Sequence, residues 1–82
     1  MKVIKFYADW CGPCKSYAPI FEKVVNELGV EYENIDVDND TTGLAAKYKV
    51  RSIPLTVFVN EDGSELKETG ILSEDKLKQL IK

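Results

Sequence analysis

Apolar positions along this chain change period several times, and each change marks an element. Residues 2–8, Lys-Val-Ile-Lys-Phe-Tyr-Ala, are rich in β-formers and read as a strand. Asp9-Trp10-Cys11-Gly12-Pro13 breaks it. Pro13 suits a first helical turn, where its missing N–H has no partner to lose. From there Tyr17, Phe21, Val24, Val25 and Leu28 recur at helical spacing, and Gly29 is a natural stop. Pro19 falls inside this helix and is expected to kink it. Val30 to Val37 reads as a second strand, with Val30, Tyr32 and Asn34 on one side and Glu31, Glu33 and Ile35 on the other.

The run Asp38-Asn39-Asp40-Thr41-Thr42 is a loop with an N-cap candidate, ahead of a short helix over about Gly43 to Tyr48. Leu55-Thr56-Val57-Phe58-Val59 is a clear strand after Pro54. Asn60-Glu61-Asp62-Gly63 turns the chain, and Ser64 to Thr69 completes a hairpin. Ser73 caps a last helix, whose first turn carries Glu74 and Asp75 at the favourable end of the dipole. The order is βαβαββα. A helical crossover joins the first two strands, so they are parallel and right-handed, and the closing hairpin is antiparallel. The expected fold is α/β, a four-stranded mixed sheet with helices on both faces.

With 82 residues the chain is expected to form one domain. A hydrophobic share of 44% and a charged share of 30% argue against disorder. The net charge of -3, with no basic cluster, gives little electrostatic drive toward nucleic acid. No stretch approaches the ~20 apolar residues of a membrane span. The first residues, Met1 to Phe6, are too charged for a signal peptide, so the cytoplasm is the expected compartment. A monomer without a bound cofactor is expected.

The chemistry rests on two cysteines and no histidine. Cys11-Gly12-Pro13-Cys14 stands where a strand hands over to a helix. The helix N-terminus presents unpaired N–H groups and about half a positive charge, so a thiolate there is stabilised below the ~8.5 of a free thiol. Cys11, at or just before the first turn, is expected to be the exposed nucleophile. Cys14 is close enough to attack a mixed disulfide formed on Cys11. Three readings of the pair compete at this point. Redox catalysis fits its place in a βαβ unit. Half of a zinc site would need ligands from a second chain, because this one has no further Cys or His. An inert structural pair gains little, since the loop it closes is short.

Trp10-Cys11-Gly12-Pro13-Cys14-Lys15 reproduces the active-site motif of the thioredoxin family, and the likeness extends over nearly the whole chain. Phe6-Tyr7-Ala8-Asp9 resembles the strand leading into the motif. Ala18-Pro19 resembles the kinked active-site helix. Asn34-Ile35-Asp36-Val37-Asp38 is similar to the family's third strand, and Val50 to Thr56 to the segment holding its cis-proline. The resemblance implies a protein-disulfide reductase with Cys11 attacking and Cys14 resolving, alternating between a dithiol and a Cys11–Cys14 disulfide. It implies that Trp10, Gly12 and Pro13 shape the surface beside Cys11. It further implies that Ile53 and a cis Pro54 hold an extended substrate segment. Its partners would be disulfide-bearing target proteins and a thioredoxin-reductase-like electron donor. A glutathione-dependent, glutaredoxin-like enzyme and a non-enzymatic binding module are the alternatives.

Two departures stand out. By the resemblance, the chain is expected to start at the family's second strand, without the N-terminal strand and helix, at glutaredoxin-like length. The family's buried Asp, six residues before the first cysteine, is here Lys5. Near the thiols, Lys5 would favour thiolate by charge. At the sheet edge it would snorkel to water and do little, and this is the expected placement, since an unpaired buried ammonium is costly. Asp9 is the other candidate for tuning the thiols, with an N-cap or solvated role as its plainer reading.

Overall fold

In a computed structural model, which describes residues 1–81, the observed order is the expected βαβαββα. Strand β1 (Lys2–Tyr7) leads into α1 (Gly12–Leu28), β2 (Glu31–Asp36), α2 (Leu44–Lys47), β3 (Leu55–Val59), β4 (Glu65–Thr69) and α3 (Glu74–Leu80). Strand β2 and α2 are each a residue shorter at both ends than their apolar pattern suggests. The sheet order is β2-β1-β3-β4. Strands β1 and β2 are parallel, with Lys5 opposite Asn34; β1–β3 and β3–β4 are antiparallel, with Lys5 opposite Thr56.

Alternation along the central strands builds two cores, one per face. Val3 and Phe58 meet Tyr17, Phe21 and Val24 of α1 and Leu77 of α3. Ile4, Phe6 and Val57 meet Ile35, Leu55 and Tyr48, the last just beyond α2. Both cores are sealed, with Val3, Phe6, Phe21 and Val57 wholly buried.

The ends of α1 follow from its sequence. Gly29 closes it at φ 64°, a left-handed conformation that costs glycine little, and its N–H and that of Val30 return to the Val25 carbonyl. The helix is unbroken through Pro19. Ser73 accepts from the Lys76 N–H at 3.1 Å, the predicted cap of α3. The cap of α2 is less direct. Gly43 occupies the cap position and has no side chain to offer. Two residues of the preceding loop do the work: Thr42 Oγ1 accepts from Leu44 N–H at 3.1 Å, and Asp40 Oδ2 from Ala45 N–H at 2.9 Å. The Thr42 hydroxyl and the backbone N–H groups of Ala45, Thr42 and Gly43 hold the Asp40 carboxyl below its ordinary range.

Candidate active site

Cys11 is the N-cap of α1. Its extended backbone, at φ -86° and ψ 108°, ends the loop from β1, and its N–H donates to the Ala8 carbonyl at 3.1 Å. The helix begins with Gly12 and Pro13, so Pro13 sits where no intrahelical N–H is needed. One turn in, the Cys14 N–H donates to Cys11 Sγ at 3.2 Å. A sulfur thus takes the place usually held by a Ser or Asp oxygen, at the positive end of a 17-residue helix.

The two cysteines form a disulfide, with Cα atoms 5.2 Å apart. The Ile53 carbonyl oxygen lies 3.9 Å from Cys11 Sγ, and the Ile53–Pro54 peptide is cis. Pro54 is buried just ahead of β3, and its own carbonyl accepts from the Gly70 N–H at 2.8 Å. The β1–α1 loop and the segment before β3 therefore meet at the sulfurs because β1 and β3 are neighbours in the sheet.

Cys11 is not the exposed thiol expected from its position. It is 5% exposed and Cys14 3%, so the disulfide form shows almost no contrast between them. Ala8, Val37 and Ile53 pack against the pair and cover both sulfurs. Exposure lies instead on the residues around it: Gly12, Pro13 and above all Trp10, at 70%. Trp10 Nε1–H donates to Asp38 Oδ2 at 2.7 Å, tying this loop to the one after β2. Between Trp10 and Ile53 opens a cavity of about 350 Å³, floored by Val37, Ala45 and Val50 and edged by Arg51.

Lys5 corrects a second expectation. It does not reach water at a sheet edge, because β1 is covered on both sides by β2 and β3. It is 3% exposed and lies on the α1 face, its Nζ 5.0 Å from the Phe21 ring centre and 5.6 Å from that of Tyr7. The aromatic faces replace part of the lost hydration. A second cavity, of about 260 Å³, runs between Lys5 and Cys14. Asp9, exposed, stands at its mouth and caps no helix.

Asp38 and Glu22 were not singled out from the sequence. Asp38 could not be, since its tie to Trp10 spans 28 positions. Glu22 carried a signal: Cys14, Ala18 and Glu22 repeat every four residues and share the helix face that lines the second cavity.

A strand-to-helix cysteine pair opposite a cis-proline, on a four-stranded mixed sheet, defines a thiol–disulfide oxidoreductase. The chain belongs to the thioredoxin family, whose family model, described as Thioredoxin, matches residues 1–82. It is 37% identical to the thioredoxin of Mycoplasmoides gallisepticum over 81 residues, covering 98% of this chain and 80% of that one. It is 37% identical to the thioredoxin of Borreliella burgdorferi, over 98% of this chain and 69% of the relative. Among solved structures, Fasciola hepatica thioredoxin superposes with a TM-score of 0.84 at 40% identity, covering 98% of this chain and 76% of that one. The chain is accordingly a protein-disulfide oxidoreductase.

Proposed function

We propose that this protein reduces disulfides in other proteins, with Cys11 as the attacking sulfur and Cys14 as the resolving one. The observation that supports this assignment is the Cys14 N–H aimed at Cys11 Sγ from the first turn of α1. In the dithiol form the same donor and the helix dipole favour a thiolate on Cys11. That thiolate attacks one sulfur of a target disulfide, forming a Cys11–target bond and expelling the other target sulfur, which takes up a proton. Cys14 then loses its proton and attacks Cys11. The Cys11–Cys14 bond forms, the second target thiol leaves, and two electrons have passed to the target. A thioredoxin-reductase-like donor returns two electrons to the pair. A reducing compartment such as the cytoplasm suits this cycle, since it favours the dithiol.

The cavity between Trp10 and Ile53 supports a role in holding the target beside the sulfurs. Its apolar floor suits an aliphatic or aromatic side chain near the target cysteine. Trp10, Gly12 and Pro13 form the exposed approach, and the Ile53 carbonyl, 3.9 Å from Cys11 Sγ, is the acceptor offered to an incoming chain. Insulin reduction by dithiothreitol tests the proposal. The protein is expected to accelerate insulin precipitation well beyond the uncatalysed rate; no acceleration refutes it.

A further inference from the structure

Lys5 is a nearly enclosed cation with an open space on one side. No carboxylate of the described residues pairs with it. Among the described residues its Nζ has no hydrogen-bond partner either, yet no fully enclosed side-chain nitrogen there lacks one. The ammonium therefore opens onto the cavity of about 260 Å³ that Cys14 also lines. Helix α1 presents Cys14, Lys15 and Glu22 at the cavity, with Phe21 beneath the ammonium. Strand β1 adds Tyr7, and the loop after it Asp9 at the mouth. Strand β2 offers the neutral Asn34, and β3 the neutral Thr56, whose hydroxyl is taken by Tyr17.

Resting on the redox reading of the pair, we infer that Lys5 is a positioning residue for the resolving step, its ammonium holding Cys14 as a thiolate once the disulfide opens. While the Cys11–Cys14 bond is intact there is no negative sulfur for the ammonium to face. When Cys11 is joined to a target, Cys14 is released with a proton that must leave before it can attack. The cavity gives that proton a route to solvent, and the nearby positive charge favours its loss. Burial pushes the Lys5 ammonium below its ordinary range, with the Glu22 carboxylate pulling the other way. An anion at Cys14 restores part of what burial removes, so the two groups titrate as a coupled pair. Glu22 is exposed, and solvent weakens its hold on the same ammonium.

The test isolates Cys14 by replacing its partner, since the chain has two cysteines. In Cys11→Ala, the ultraviolet absorbance of the Cys14 thiolate is followed against pH. Adding Lys5→Met keeps a long side chain without charge and is expected to move the midpoint upward by about one pH unit, a tenfold loss of thiolate near neutrality. Adding Lys5→Arg is expected to leave the midpoint near its original place. An unchanged midpoint in folded Lys5→Met overturns the inference. Should that variant fail to fold, carbon NMR of Lys5 Cε in the unsubstituted protein decides. Lys5 is expected to titrate at higher pH in the dithiol than in the disulfide state, and identical titrations overturn the inference. Neither result depends on turnover of a target, so a failure here leaves the insulin assay standing.

Discussion

The hydroxyls of Tyr17 and Thr56 lie 2.8 Å apart in the closed space between α1 and the sheet, and each satisfies the other. Both residues are wholly buried. Removing one hydroxyl strands its partner without water, which costs about 1–3 kcal/mol, whereas removing both leaves nothing stranded. Tyr17→Phe and Thr56→Val are each expected to destabilise the protein by that amount. The double variant is expected to recover most of the loss. Urea unfolding of all four proteins checks this, and simple additivity of the two losses would refute it.

The same phenol sets an alkaline limit. Burial pushes the Tyr17 hydroxyl up to about 12, with the Thr56 hydroxyl pulling slightly down. An unfolded tyrosine titrates near ~10. Between those values the folded protein keeps a proton that the unfolded chain has lost, so stability falls as pH rises through this window. Below it the contribution is fully present. The Tyr17→Phe, Thr56→Val double variant is expected to lose stability less steeply across the window, measured by urea midpoint against pH. Parallel curves would argue against the phenol as the cause.

The two sulfurs are expected to fail differently. Cys11→Ser removes the attacking atom and is expected to abolish insulin reduction. Cys14→Ser keeps attack but not release, and is expected to accumulate a mixed disulfide visible as added mass on a non-reducing gel. Mixed disulfide accumulating on Cys14 in the Cys11→Ser protein would reverse the assignment.

Trp10 is held by a single exposed bond, Nε1–H to Asp38 Oδ2 at 2.7 Å. A bond to a carboxylate at the surface contributes about 1 kcal/mol. Asp38→Ala is expected to loosen the indole beside the apolar cavity and raise KM for a protein target about fivefold, with kcat little changed. A variant with unaltered KM would show that the indole orientation plays no part in target capture.

Two glycines separate conformation from space. At neither Gly29 nor Gly12 would an added Cβ meet another atom within 4 Å. Gly29 holds φ 64°, so Gly29→Ala is expected to cost about 1 kcal/mol. Gly12 opens α1 in helical backbone, so Gly12→Ala is expected to be neutral or stabilising by up to about 1 kcal/mol. Thermal midpoints check both, and equal effects would remove the conformational explanation.

Local pattern was enough for the elements and for the reactive pair. Tyr17, Phe21 and Val24 repeat at helical spacing, Gly29 ends the run, and Cys11 and Cys14 flank a proline that belongs in a first turn. Each of these follows from interactions within a few residues. The left-handed cap at Gly29 and the sulfur cap at Cys11 are of the same local kind.

Sheet order, by contrast, was decided by long-range pairing. Once β3 lies against β1, Lys5 is in a central strand, the Ile53 carbonyl reaches Cys11, and Thr56 finds Tyr17 across 39 positions. A lysine at the edge and a lysine in the middle of a sheet look alike in sequence, because alternation says which face a side chain takes and not what covers that face. The burial of Cys11 has the same origin: helix start and spacing place the sulfur at the cap, but Ile53 and Val37, from distant segments, decide how much water reaches it.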